Sequence, residues 1–133
     1  MAWLTILSFG YLHEVPEATV TVDVREILRD PHIDPALRNL TAYDPAVRAK
    51  VAATVGAEEL ARDLTALART LSRAARPRGR TATLAIGCAG GRHRSAALAM
   101  TIAENLGFLP PELLEVRHLH IDRPVVQRPT PAP

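Results

Sequence analysis

The chain opens on a short apolar run, Trp3–Ser8 (WLTILS), followed by Gly10. An apolar run bounded by a turn residue predicts a strand. Thr19–Val24 (TVTVDV) is rich in β-branched residues and predicts a second strand. Asp30-Pro31-His32 and Asp34-Pro35 are turn signals, so a long loop is expected there. Asp44-Pro45 reads as a helix N-cap followed by proline at the first helical position. The helix it starts, Ala46–Val55, should stop at Gly56. Over Glu58–Arg73, Leu60, Leu64, Leu67 and Leu71 recur at helical spacing, with acids early and arginines late, as the helix dipole favours. Arg76-Pro77-Arg78-Gly79 ends that helix. Thr81–Ile86 reads as a buried strand, Gly87–Arg92 as a loop, and His93 or Arg94 to Leu106 as an Ala-rich helix closed by Gly107. Leu113–Ile121 predicts a last strand, before an extended tail punctuated by Pro124, Pro129, Pro131 and Pro133.

Strands separated by helices predict an α/β fold. The expected form is a small mixed or mostly parallel sheet covered by helices, with a ligand site at the carboxyl ends of the strands. Residues 1–123 are expected to form a single ligand-binding domain and residues 124–133 a Pro-rich flexible tail. That is the size of one domain, since the chain has 133 residues.

Composition narrows the function classes. With 47% hydrophobic and 23% charged residues the chain is of ordinary globular type, and with 4% aromatics its core rests on Leu, Val, Ile and Ala. No apolar run approaches the ~20 residues that span a bilayer, so no membrane partner is expected. The N-terminus lacks a basic segment followed by an apolar stretch and a cleavage site, which predicts a cytoplasmic protein. Cys88 is the one cysteine, so it belongs either to the core or to site chemistry.

The net charge of +2 argues against a dedicated polyelectrolyte binder. Its distribution is uneven, because no acid occurs from Leu64 to Ala103, where Arg69, Arg73, Arg76, Arg78, Arg80, Arg92 and Arg94 all fall. A solvated face is the ordinary reading of Arg69–Arg80. The functional reading is a positive field for phosphorylated ligands or RNA.

The densest chemical signal is Ile86-Gly87-Cys88-Ala89-Gly90-Gly91-Arg92-His93-Arg94-Ser95, between an apolar strand and a helix. Glycines let backbone N–H groups converge on an anion, and a helix start adds its own free amides and positive dipole. Arg92, His93 and Arg94 supply cationic donors and Ser95 a hydroxyl, which together describe a phosphate cradle. The plain alternative is a glycine turn needed only for tight strand-to-helix packing. No GK[ST] closes the loop, so nucleoside-triphosphate hydrolysis is not supported.

Cys88 to Arg94 is also C-x5-R, which resembles the phosphate loop of cysteine-dependent protein phosphatases. That resemblance implies a Cys88 thiolate attacking phosphorus, Arg94 clamping the phosphoryl oxygens, and Asp30 or Asp34 as general acid. Gly87 stands where those enzymes usually carry His.

A second resemblance covers more of the chain. Ser8-Phe9-Gly10, Asp23-Val24-Arg25, Pro31-His32, Leu37-Arg38-x-Leu-Thr41 and Ile86-Gly-Cys-x-Gly-Gly-x-His-Arg-Ser95 resemble the C-terminal domain of the RapZ family of RNase adapter proteins, in order and spacing, from about Leu4 to Asp122. The resemblance implies binding of an amino-sugar phosphate and, as in enterobacterial members, of small regulatory RNA, with dimerisation. It also implies an N-terminal P-loop nucleotide-binding domain, which these 133 residues do not include, so a separate P-loop protein becomes a candidate partner. Carried over by motif, the ligand-binding residues are Asp23, Arg25, His32, Cys88, Ala89, Gly90, Gly91, Arg92, His93, Arg94 and Ser95. Ala89 replaces the family's usual Thr and removes one hydroxyl donor, whereas Arg92 replaces Lys and keeps the charge. The stretch from Asp23 to His32 is one residue longer than usual, and the family's basic C-terminal end is reduced to Arg117, Arg123 and Arg128.

Other residues carry weaker signals. Cys88 reads most simply as a small buried residue at a strand end. Asp23 and Arg25 share a strand face and can pair, either structurally or as part of a pocket. His118 and His120 share an i, i+2 face; with no third ligand evident they read as structural or pocket-rim groups, and no metal or other cofactor is expected. Trp3, Phe9 and Tyr11 read as core or rim.

The leading expectation is a stand-alone domain that binds a phosphorylated small molecule, a sugar phosphate, as a sensor or adapter, without catalytic residues. A cysteine-dependent phosphatase and an RNA-binding regulatory module are the alternatives.

Overall fold

The computed structural model describes residues 2–28, 35–107 and 109–125. Among them four strands form one sheet: β1 (Leu4–Gly10), β2 (Val20–Asp23), β3 (Ala82–Cys88) and β4 (Leu114–His118). The order across the sheet is β2-β3-β1-β4, and every pair is parallel. The expected α/β fold is therefore present, with the sheet wholly parallel. Four helices accompany it: α1 (Pro35–Arg38), α2 (Pro45–Ala52), α3 (Ala57–Ala75) and α4 (Arg94–Asn105).

The local signals explain most boundaries. The Asp44 carboxylate caps α2 by accepting the Ala46 amide at 2.8 Å. Gly56, at φ +87°, makes the turn between α2 and α3. Three differences from the sequence reading have physical causes. Short α1 lies in the stretch read as loop, where Pro35 starts one turn and Leu37 is buried. Helix α3 runs on to Ala75, because no breaker precedes Arg76-Pro77. Strand β4 stops at His118, short of the expected Ile121, since the chain turns over 119–122.

The two faces of the sheet are covered differently. Leu4, Ile6, Leu84, Ile86 and Cys88 pack with Ala61, Leu64 and Ala68 of α3 and Leu98, Ala99 and Ile102 of α4. On the opposite face Leu7, Phe9 and Ala85 meet Tyr11, Ala18 and Leu119, and no helical residue joins them. The handedness of parallel crossovers accounts for the asymmetry. The connections β2→β3 and β3→β4 advance in one direction across the sheet and carry helices. The connection β1→β2 runs the other way, so a right-handed path sends residues 11–19 over the far face as an irregular strap. A second cluster, Leu37, Ala42, Val47, Val51, Ala96, Ala97 and Ile121, ties α1 and α2 to the start of α4.

Candidate functional site

All strands are parallel, so Gly10, Asp23, Cys88 and His118 end on one edge of the sheet. The chain leaves β1 towards the strap face and β3 towards the helical face. The crevice between the ends of β1 and β3 is thus the point where connections diverge, the usual position of ligands in open α/β sheets. The glycine loop, residues 88–93, lies there.

Backbone interlocking fixes the loop. Tyr11 and Leu12 amides donate to the Cys88 and Ala89 carbonyls at 2.9 and 3.0 Å, so the strap continues the ladder past the end of β3. A Cβ on Gly10 would stand 2.4 Å from the carbonyl carbon of Gly90. Gly91 has φ +76°, and its Cβ would stand 2.7 Å from the Gly10 nitrogen. Only glycine fits at either position. The loop feeds into α4, whose N-cap residue, His93, makes no side-chain cap bond. The amino end of α4, the positive end of its dipole, adjoins the loop.

Cys88 is 2% exposed and lies under the loop. Its Sγ accepts the Gly91 amide at 3.2 Å and lies 3.1 Å from Ser95 Oγ. Ser95 Oγ in turn donates to the Phe9 carbonyl at 3.1 Å. Ser95 Oγ thus bridges Cys88 Sγ and the Phe9 carbonyl, and the sulfur is enclosed by hydrogen-bonding groups beneath the loop. A Cβ at Gly87, where phosphatases of the C-x5-R type carry His, would stand 2.4 Å from Phe9 Cζ.

The cationic side chains of the loop face protein carbonyls. Arg94 is 5% exposed and donates from NH1 to the carbonyls of Arg25 and Leu28 at 2.9 and 3.0 Å. Arg92 donates from NH2 to the Asn39 carbonyl at 3.1 Å and from NH1 to the Arg123 carbonyl, while its own carbonyl accepts the Ala42 amide. His93 Nε2 bonds the Leu40 carbonyl at 2.6 Å. These contacts give the three side chains a bracketing role, since they hold segments 25–28, 39–42 and 123 around the loop.

Asp23 and Arg25 form a bidentate pair at the end of β2, with Arg25 NH2 2.6 Å from Asp23 Oδ2. The Arg25 hydrogen bonds hold the Asp23 carboxyl below the usual range, and the positive charge of Arg94 adds to that. The Arg25 guanidinium also lies 3.7 Å from the centre of the Tyr11 ring. Burial pushes the Tyr11 hydroxyl up, with the Asp23 charge second. The structure thus brings Asp23, Arg25, Cys88, Ala89, Gly90, Gly91, Arg92, His93, Arg94 and Ser95 to one edge of the sheet. His32, with Asp30 and Asp34, lies outside the described residues.

Three histidines, His13, His118 and His120, lie near the loop; the sequence signals His118 and His120 as structural or rim groups and gives no signal for His13. His118 Nδ1 lies 2.6 Å from the buried Ser8 Oγ, and burial pushes its imidazole down. His120 accepts the Gly10 amide on Nδ1 at 2.8 Å, and its ring lies 4.8 Å from that of His13. The i, i+2 spacing of His118 and His120 signalled a shared face. The contact with Gly10 had no signal, because it crosses 110 positions. Exposed Tyr43 meets the His118 ring edge-on at 6.2 Å. No three His, Cys, Asp or Glu residues among those described are placed to hold a metal ion. Nor is any helix among them long and apolar enough to cross a membrane. Two concavities of about 500 and 580 Å³ lie along α3 and are lined by residues such as Glu58, Arg62 and Thr65. They are remote from the glycine loop and carry no comparable convergence of donors, so the loop remains the candidate site.

The RapZ C-terminal domain family matches residues 2–122. A protein of Thermus thermophilus named as a nucleotide-binding protein is 43% identical over 122 residues, which are 90% of this chain and 43% of that protein. One of the same name from Rubrobacter xylanophilus is 42% identical over 106 residues, 78% of this chain and 34% of the relative. A third, from Kocuria rhizophila, is 37% identical over 122 residues, 90% of this chain and 40% of the relative. The chain thus spans less than half the length of these relatives.

Proposed function

The chain belongs to the RapZ C-terminal domain family, and on that premise we propose that it binds a phosphorylated small molecule, an amino-sugar phosphate, and acts as a sensor or adapter. One observation carries the reading: the Gly10–Gly90–Gly91 interlock sets a glycine loop and the amino end of α4 at the carboxyl ends of β1 and β3. Backbone amides of the loop and helix start hold the phosphate. Asp23 and Arg25 face the polar remainder of the ligand: the carboxylate, kept ionised by its partner, suits the ammonium of an amino sugar. Arg94 contributes positive potential while it fixes the 25–28 turn. Coupling of binding to a partner, such as a separate P-loop protein, RNA or a second copy, is part of the sensor role.

The relatives are named for nucleotide binding, so nucleotides are the competing ligand class. The glycine loop of this chain is not closed by the GK[ST] of a Walker motif. The C-x5-R chemistry fits less well. The sulfur is 2% exposed beneath the loop, within hydrogen-bond distance of Ser95 Oγ, and the Arg94 nitrogen NH1 is engaged by two carbonyls.

A thermal-shift series tests the proposal, since a ligand that binds only the folded state raises Tm by mass action. Amino-sugar phosphates should raise Tm more than inorganic phosphate, and the unphosphorylated amino sugars should leave it unchanged. A larger shift with nucleotides would replace the sugar-phosphate reading.

A further inference from the structure

We propose that His120 is a positioning residue that locks the glycine loop against the end of β1, and that its protonation releases the loop. His120 is 2% exposed and accepts the Gly10 amide on Nδ1 at 2.8 Å. An acceptor nitrogen carries no proton, so the ring is the neutral tautomer protonated on Nε2. The ladder explains why an imidazole is needed here. Leu119 donates to the Ser8 carbonyl at 2.9 Å, and the next acceptor for β1 would be a main-chain carbonyl of β4. The chain turns instead, and the His120 side chain takes that acceptor's place.

The same imidazole stands behind the loop. A Cβ on Gly91 would lie 2.9 Å from His120 Cβ and 2.7 Å from the Gly10 nitrogen. Gly10, Gly91 and His120 therefore pack together with no room for a side chain between them. Protonation of His120 places a hydrogen on Nδ1, facing the Gly10 N–H, and turns an attraction into a donor–donor clash. The buried amide then loses its partner, a cost comparable to a lost hydrogen bond. The groups around the ring set its ease of titration. His13 and Glu14 come from the strap, Arg123 from the turn after β4, and Arg92 of the loop is bonded to the Arg123 carbonyl. Burial, then His13 and Arg123, disfavour the charged imidazole, and Glu14 opposes them. The lock thus holds at neutral pH and opens in acid.

The consequence for anion binding rests on the function proposed above; the lock itself does not. The test separates the two. In the full chain without ligand, NMR should show the Gly10 and Gly91 amides shifting with the same midpoint as the His120 imidazole, below the usual histidine value of about 6.5. In His120→Asn, Oδ1 can accept from Gly10 without titrating, so the acid shift of both amides should vanish. His13→Asn should keep it, which maintains the test if His120→Asn fails to fold. Gly10 and Gly91 amides that stay still while His120 titrates would overturn the lock, as would an unchanged shift in His120→Asn. Sulfate, which stays dianionic across this range, then probes the site. Its affinity for the native chain should fall by up to about tenfold per pH unit below the midpoint and stay flat in His120→Asn. Sulfate that binds equally at both ends of the range would overturn the link from lock to site. Sulfate that binds at neither end would remove both that link and the proposed phosphate site, with the amide titration still deciding the lock.

Discussion

Arg94, in the first turn of α4, donates from one guanidinium nitrogen to the Arg25 carbonyl at 2.9 Å. The same nitrogen reaches the Leu28 carbonyl at 3.0 Å, so an arginine of the glycine-loop motif anchors the turn that follows β2. Arg94→Ala leaves both carbonyls without this donor in a buried setting. The expected loss of stability is about 2–4 kcal/mol, read by urea denaturation, together with loss of phosphate affinity. A variant as stable as the native chain would remove Arg94 from the scaffold.

The glycines separate scaffold from rim. Gly10→Ala places a methyl 2.4 Å from the Gly90 backbone and should cost at least about 2 kcal/mol and abolish oxyanion binding. Gly90→Ala meets nothing within 4 Å and has no positive φ, so stability should change by less than about 0.5 kcal/mol. Calorimetric unfolding of the pair checks the contrast. Equal effects of the two substitutions would contradict the interlock.

How much of this was legible in the sequence follows from the range of each signal. Asp44-Pro45 and the leucines of α3 are local signals and mark the start of α2 and the body of α3, whereas α2 ends at Ala52 rather than running to Val55, and Gly56 instead precedes α3. The glycine loop is legible because its residues are contiguous and lie between a strand pattern and a helix pattern. Two things were hidden. One is the side on which Arg92, His93 and Arg94 spend their donors, since their partners at 25, 28, 39, 40 and 123 are distant in sequence. The other is that one face of the sheet is covered by a strap in place of a helix, which follows from strand order and crossover handedness rather than from any residue pattern.

Folding stability should fall as pH drops through the histidine range. Burial lowers the folded-state pKa of both His118 and His120. The unfolded chain then binds more protons below about pH 6.5, so stability is fully present above that value and is lost as pH falls towards the folded pKa values. Urea midpoints at about pH 7.5 and 5.5 measure this. A midpoint that rises on acidification would reverse the sign of the argument.

Cys88 should behave as a packed thiol. Cys88→Ser keeps a hydrogen-bonding group beside Ser95 and Gly91, and phosphate binding should survive it. The native chain should not hydrolyse a generic aryl phosphate above the rate of this variant. Turnover lost in Cys88→Ser would restore the phosphatase reading.

RNA binding, if measured by filter retention, should be weak and salt-dependent. The Arg76 guanidinium lies over the Trp3 ring at 4.2 Å, at the amino end of the sheet and away from the glycine loop. That stacking engages the nearby tryptophan face, so the arginines of 69–80 act chiefly through phosphate charge. A slope of about −0.7 in log affinity per log salt is expected for each contact on single strands. Tight binding to one hairpin at high salt would instead require base readout.

The central claim is that the glycine loop cradles an oxyanion, and a crystal structure grown at saturating phosphate or sulfate tests it most directly. Tetrahedral density is expected within hydrogen-bond distance of the backbone amides of Gly90, Arg92 and His93, at the start of α4, the Gly91 amide being turned inward to Cys88 Sγ. An empty loop at saturating anion, with Gly10 and Gly91 placed as described here, would contradict it.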